Sequence, residues 1–269
     1  MKTISMPCSA IAYGLAARGA ARHETACHFI FFPSLLLLLF LPPALQVYGS
    51  ELRVGAFSDL TPGSALPPAW ELLTFPRITR HTEYQLVEID GTTVIKAESR
   101  NAASGLIRRI TIDPRRYPTL RWRWRVDRLL PGSDVRRKAG DDYPARLYLT
   151  FAYDADKMSL GRRMRYQAAR LLYGDVPAAA INYIWARNAA RNTVVPNAYT
   201  DFTMMIVVES GSERLGQWIT EERNIVQDYR RAFGSDPPLI TGVAIMTDSD
   251  DSGGEASAYY GDITFLSSP

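Results

Sequence analysis

The sequence predicts an all-β, mainly antiparallel fold: a jelly-roll-like β-sandwich with one or two inserted or edge helices. Three observations carry this expectation. Short segments of period-2 alternation recur along the chain, punctuated by Gly, Pro and Asp turns. Asp90-Gly91 joins two such segments, a strong hairpin signal. Helical spacing is confined to two stretches.

In chain order, residues 58–69 are rich in Pro, Gly and Ser and read as a surface lead-in. Strands are expected at 83–89 and 92–99 around Asp90-Gly91, then at 105–112, ended by Asp113-Pro114. The clearest strand is 120–126. Its alternation puts Leu120, Trp122, Trp124 and Val126 on one face and Arg121, Arg123 and Arg125 on the other. A row of three arginines does not suit a core. Leu147, Leu149 and Phe151 share a face in a strand at 146–153, and further strands are expected at 181–186, 202–209, 239–247 and 258–265. Helices are expected at 160–173 and 221–233, the second ended by Gly234 with Pro237 beyond it.

The N-terminus sets the expected compartment. Lys2, Arg18 and Arg22 precede an apolar run from Phe29 to Leu41, followed by Pro42-Pro43 and Val47-Tyr48-Gly49. At roughly 13 residues the run suits a signal-peptide core and is short of the ~20 needed to span a bilayer. The expected organisation is a signal peptide over 1–49, an N-terminal lead-in over 50–79 and a β-sandwich domain over 80–269. The mature chain would be periplasmic or secreted, with no membrane span. Cys8 and Cys27 would leave with the signal, which excludes disulfides, a cysteine nucleophile and cysteine metal sites from the mature chain. Of three histidines only His81 would remain, so multi-histidine metal sites are excluded, and a serine–histidine–acid triad would have to run through it. The whole chain has 31 basic and 28 acidic residues. This near balance argues against a nucleic-acid partner.

Four segments hold more polar and aromatic residues than a plain sandwich needs. In Gly140-Asp141-Asp142-Tyr143-Pro144-Ala145-Arg146, Asp142 and Arg146 are near enough to pair, either as a structural pair or facing a ligand. In Ile181-Asn182-Tyr183-Ile184-Trp185, Tyr183 and Trp185 share a strand face, as core residues or as a stacking platform for a sugar ring. A third stretch runs from Trp218 through Glu221, Arg223 and Asn224 to Asp228-Tyr229; on a helix, Asn224 and Asp228 share a face. The fourth, Thr247 to Glu255, begins like a calcium loop, with Asp248, Asp250 and Ser252 at alternate positions and Gly253 for the turn. Its closing acid is replaced by Tyr259, so Asp248 and Asp250 remain the metal-ligand candidates, for a structural calcium. Glu88-Ile89-Asp90 resembles the start of the catalytic strand of jelly-roll glycosidases, but Thr93 stands where the second glutamate belongs, and retaining hydrolysis needs two carboxyl groups.

These segments resemble a bacterial family of exported proteins, the domain-of-unknown-function family numbered 3047. The resemblance rests on Trp122-Arg123-Trp124, Gly140 to Arg146, Tyr183-Ile184-Trp185, Glu222-Arg223-Asn224, Asp228-Tyr229, Gly242 to Asp250 and Ala258 to Ile263, in order over about residues 80–266. It implies one exported domain and no particular activity. The C-terminal pattern also resembles carbohydrate-binding jelly rolls, which implies a saccharide ligand by analogy of fold. The resulting expectation is a non-catalytic module for a saccharide or cell-envelope glycan. Trp122, Tyr183, Trp185 and Tyr260 would stack, with Asp142, Arg146 and Asp228 as polar contacts. The alternatives are a polysaccharide lyase or hydrolase that uses no histidine or cysteine nucleophile, and a structural or interaction domain of the envelope.

Overall fold

Alternation in the sequence becomes thirteen strands among the residues described by the computed structural model, which are 50–154, 159–173 and 177–268. The signal-peptide expectation for 1–49 lies outside the described residues. The strands are β1 (Glu51–Gly55), β2 (Glu71–Leu73), β3 (Glu83–Ile89), β4 (Thr92–Arg100), β5 (Ala103–Ile112), β6 (Thr119–Val126), β7 (Arg146–Phe151), β8 (Ala179–Ala186), β9 (Val194–Pro196), β10 (Thr203–Ser210), β11 (Ile219–Asn224), β12 (Ile240–Asp248) and β13 (Glu255–Leu266). Helix α1 (Leu160–Tyr173) lies between β7 and β8, and α2 (Ile225–Phe233) follows β11.

The strands form two sheets. The first runs β11-β6-β13-β4-β3, with β1 added against the far half of β13; the second runs β2-β5-β12-β7-β8-β10-β9. All pairs are antiparallel except β8–β10. Consecutive strands β4 to β7 alternate between the sheets, β12 inserts between β5 and β7, and β13 inserts between β4 and β6. This crossing makes the sandwich jelly-roll-like. At the β3–β4 hairpin, Asp90 and Gly91 both take positive φ, 52° and 72°, as a two-residue primed turn requires.

The core lies between the sheets. Leu120, Trp122, Trp124 and Val126 of β6 meet Tyr183 and Trp185 of β8 and Tyr260 and Phe265 of β13. The two outer faces differ. Val135 and Tyr143, from the β6–β7 connection, pack with Ile184, Ala186, Met205 and Val207 on the outside of the second sheet, and Tyr166 of α1 packs with Ala178 and Phe202. This cover leaves every residue of β8 buried. The outside of the first sheet instead carries Arg121, Arg123 and Arg125 with Trp218 and Tyr259, all half-buried or exposed.

Two expectations are corrected. Residues 50–79 are part of the sandwich: β1 pairs β13, β2 pairs β5, and Val54, Phe57 and Trp70 enter the core. The helix expected at 221–233 is divided at Asn224, because β11 completes the edge of the first sheet against β6. Asn224 then caps α2, its side chain accepting from the Gln227 N–H at 2.9 Å.

Candidate ligand-binding face

The residues singled out in the sequence gather in three places. The first is a closed ionic cluster at one end of the sandwich. Arg146 is 2% exposed and forks onto Asp248, its Nε donating to Oδ1 at 2.8 Å and its Nη2 to Oδ2. Its remaining donors reach the Asp141 carbonyl and the Tyr148 hydroxyl, and the Tyr143 ring lies 4.4 Å from the guanidinium carbon. Burial opposes the charge on Arg146, but Asp248, Tyr148 and Asp141 more than offset this and hold it well above its ordinary value. The partner of Arg146 is therefore Asp248, and the Asp142–Arg146 pair suggested by the sequence does not form. Asp142 accepts instead from the backbone of Asp251 and Ser252 and from the Ser252 hydroxyl, which pins the β12–β13 loop. Asp142, Asp248 and Asp250 can each bring one carboxylate oxygen within 4.8 Å of the others. They are hard-cation ligands by chemistry, but the Arg146 guanidinium already occupies both oxygens of Asp248.

The second place is the edge of the sandwich beside β11. Arg223 grips Asp228 with Nε at 2.9 Å and Nη2 at 2.5 Å, and the Tyr183 hydroxyl donates to Asp228 at 3.0 Å. Glu209 of β10 and Glu221 of β11, both buried, are bridged across the sheets by Arg191 at 3.5 and 3.9 Å, and Arg214 reaches Glu209 at 2.7 Å. Glu221 Oε1 has no hydrogen-bond partner. Burial pushes the Glu221 carboxyl up to about 7 against the pull of Arg191. Sequence reasoning missed Glu209, although a glutamate directly after the apolar run Met204 to Val208 was a legible signal.

The proposed stacking residues are corrected by burial. Trp122, Tyr183, Trp185 and Tyr260 are all between 0% and 1% exposed. Their rings pack on one another, Trp122 on Tyr183 at 5.2 Å and Trp124 on Trp185 at 6.2 Å. The Tyr260 hydroxyl is held by Thr247 and donates to the Met246 carbonyl. Alternation on a pleated strand sends neighbouring side chains to opposite faces, so these rings turn inward together and leave no aromatic face for a sugar.

The third place is the opposite face of the same strands. Arg123 lies over the Trp218 ring at 4.8 Å, Arg125 over the Tyr259 ring at 5.5 Å, and the two rings meet edge-on at 6.5 Å. A bulge in β13 between Tyr260 and Ile263 makes this arrangement possible. It places Gly261 where a Cβ would run into the Nε and Cγ of Arg123, so the missing side chain lets the arginine lie flat. The bulge also turns Asp262 out to accept from the Ser58 N–H at 2.9 Å and from Arg53 at 3.1 Å. Tyr259 sits directly opposite Arg125 on one side and Lys96 on the other, so cations and rings form a band across the sheet. One rung further, Glu98 faces Glu83 in a shallow groove lined also by Arg80, His81 and Arg100. Sequence reasoning missed Arg123, Gly261 and Tyr259 as site residues, because they come together only through the β6–β13 pairing and its bulge.

Among the described residues, the protein is a two-sheet sandwich whose second sheet is covered on its outer face and whose first sheet presents an arginine–aromatic face. The chain belongs to the family described as protein of unknown function (DUF3047), whose model matches residues 68–264. No curated protein matches the chain. Among the described residues, no helix is long and apolar enough to cross a membrane.

Proposed function

We propose that the protein is a non-catalytic saccharide-binding module of the bacterial cell envelope, exported to the periplasm or beyond, and that it binds through the outer face of the first sheet. One observation carries this reading: Trp218 and Tyr259, half-buried, meet edge-on on the outer face of the first sheet, each ring carrying an arginine over it, Arg123 on Trp218 and Arg125 on Tyr259. An aromatic face beside fixed hydrogen-bond donors provides both parts of sugar recognition, apolar contact for the ring C–H groups and directional bonds for the hydroxyls. The carboxylates that an enzyme would need give less support. Glu209, Glu221 and Asp228 are buried at the edge of the sandwich and already hold arginines.

Affinity electrophoresis of the full-length protein through gels containing soluble envelope and plant polysaccharides tests the reading. Retardation by at least one polymer is expected. Trp218→Ala should weaken it by about 2 kcal/mol, roughly thirtyfold, as loss of a central aromatic anchor does. Retardation that Trp218→Ala leaves unchanged would place the ligand elsewhere.

A further inference from the structure

We infer that the outer face of the first sheet selects an acidic polysaccharide, a chain bearing uronate carboxylates, and that Arg123 is its specificity-determining residue. The inference rests on the saccharide-binding reading of that face and adds the charge of the ligand.

The cations around the rings differ in whether their charge is matched. Three of the four cations around the rings already hold carboxylates: Arg121 holds Glu222 at 2.8 Å, Arg125 holds Asp127 at 2.7 Å, and Lys96 holds Glu98 at 3.1 Å. Arg123 differs. Among the described residues it has no ion pair, and its guanidinium lies over the Trp218 ring. A charge left uncompensated at the centre of an otherwise neutralised patch attracts an anion.

Geometry narrows the anion further. The absence of a Cβ at Gly261 leaves room for the Arg123 side chain, whose guanidinium lies over the Trp218 ring. A planar guanidinium matches a planar carboxylate through two parallel hydrogen bonds. A phosphodiester carries the same single charge but is tetrahedral, so the planar shape of the uronate carboxylate is what sets it apart. The part of the Trp218 ring that Arg123 leaves uncovered then contacts the same sugar, so carboxylate and pyranose are read together.

The test uses the full-length protein and three polymers: polygalacturonate, the same polymer after carboxyl reduction to neutral galactan, and a sugar-phosphate polymer. Polygalacturonate should bind more tightly than its reduced form by about ten- to a hundredfold, the worth of a charge-assisted hydrogen-bond pair. Arg123→Gln should erase that preference while retaining binding of the neutral polymer. Gly261→Ala should erase it as well, because it displaces the arginine without removing its charge. Equal binding of charged and reduced polymers, or preference for the sugar-phosphate polymer, overturns the inference and leaves the saccharide reading standing. Failure of all three polymers to bind overturns both.

Discussion

The end and the edge of the sandwich each bury carboxylates with arginines, and they do so differently. At the end, Arg146 is sealed, and each of its terminal nitrogens has a named partner: Asp248 and the Asp141 carbonyl for Nη2, and the Tyr148 hydroxyl for Nη1. At the edge, Arg191 and Arg214 reach in from solvent with side chains 50% and 41% exposed, while the carboxylates they hold are 3% to 7% exposed. Both places keep a buried carboxylate oxygen without a hydrogen-bond partner, Asp141 Oδ1 at the end and Glu221 Oε1 at the edge. A sealed pair derives its strength from low dielectric and complete hydrogen bonding, whereas arginines that reach in from solvent give up part of theirs to water. The end cluster should therefore behave as a structural pin, and the edge cluster as a clasp that responds to pH.

The largest expected effect comes from opening the pin. Arg146→Leu strands Asp248 in the interior and should cost about 3–5 kcal/mol in urea unfolding. A loss below about 1 kcal/mol would mean that the two clusters do not differ as described.

The clasp should show itself as a pH dependence of opposite sign to the usual carboxylate case. Glu221 titrates near 7 in the folded chain against an ordinary 4.5, so between those values the folded state holds a proton that the unfolded state has released. Its contribution to stability is full below about 4.5 and is lost as pH rises through 7. Glu221→Gln should thus be neutral at pH 4 and stabilising at pH 8, by about 1–3 kcal/mol, the upper figure being the full shift and the lower allowing for water beside Arg191. Melts at the two pH values check this, and an equal effect at both would refute the assignment.

The smallest effect should come from the half-exposed arginine. Arg214→Gln leaves Glu209 with Arg191 and should cost no more than about 1 kcal/mol, falling with added salt. A salt-independent loss of the size seen for Arg146 would make the edge as sealed as the end.

Much of the sandwich was legible because alternation is local. β3 and its Asp90-Gly91 turn, α1 and the inward set of β6 could be read from neighbouring residues alone. β1, β2 and β11 were not, since each is short and exists through a partner strand far away in sequence. The same limit governed the sites. Arg146 was paired with Asp142, four positions away, when its true partner is Asp248 on an adjacent strand.

By itself the sequence determined the residue types available: an interior of alternating apolar and aromatic side chains, an arginine row opposite it, and no cysteine or histidine cluster beyond residue 49. Only the tertiary structure decided which sheet's outer face was covered, which carboxylate each arginine met and where Gly261 lay against Arg123. The reason is physical: alternation is set by the backbone of one strand, while burial and ion pairing are set by strands that the chain brings together from far apart.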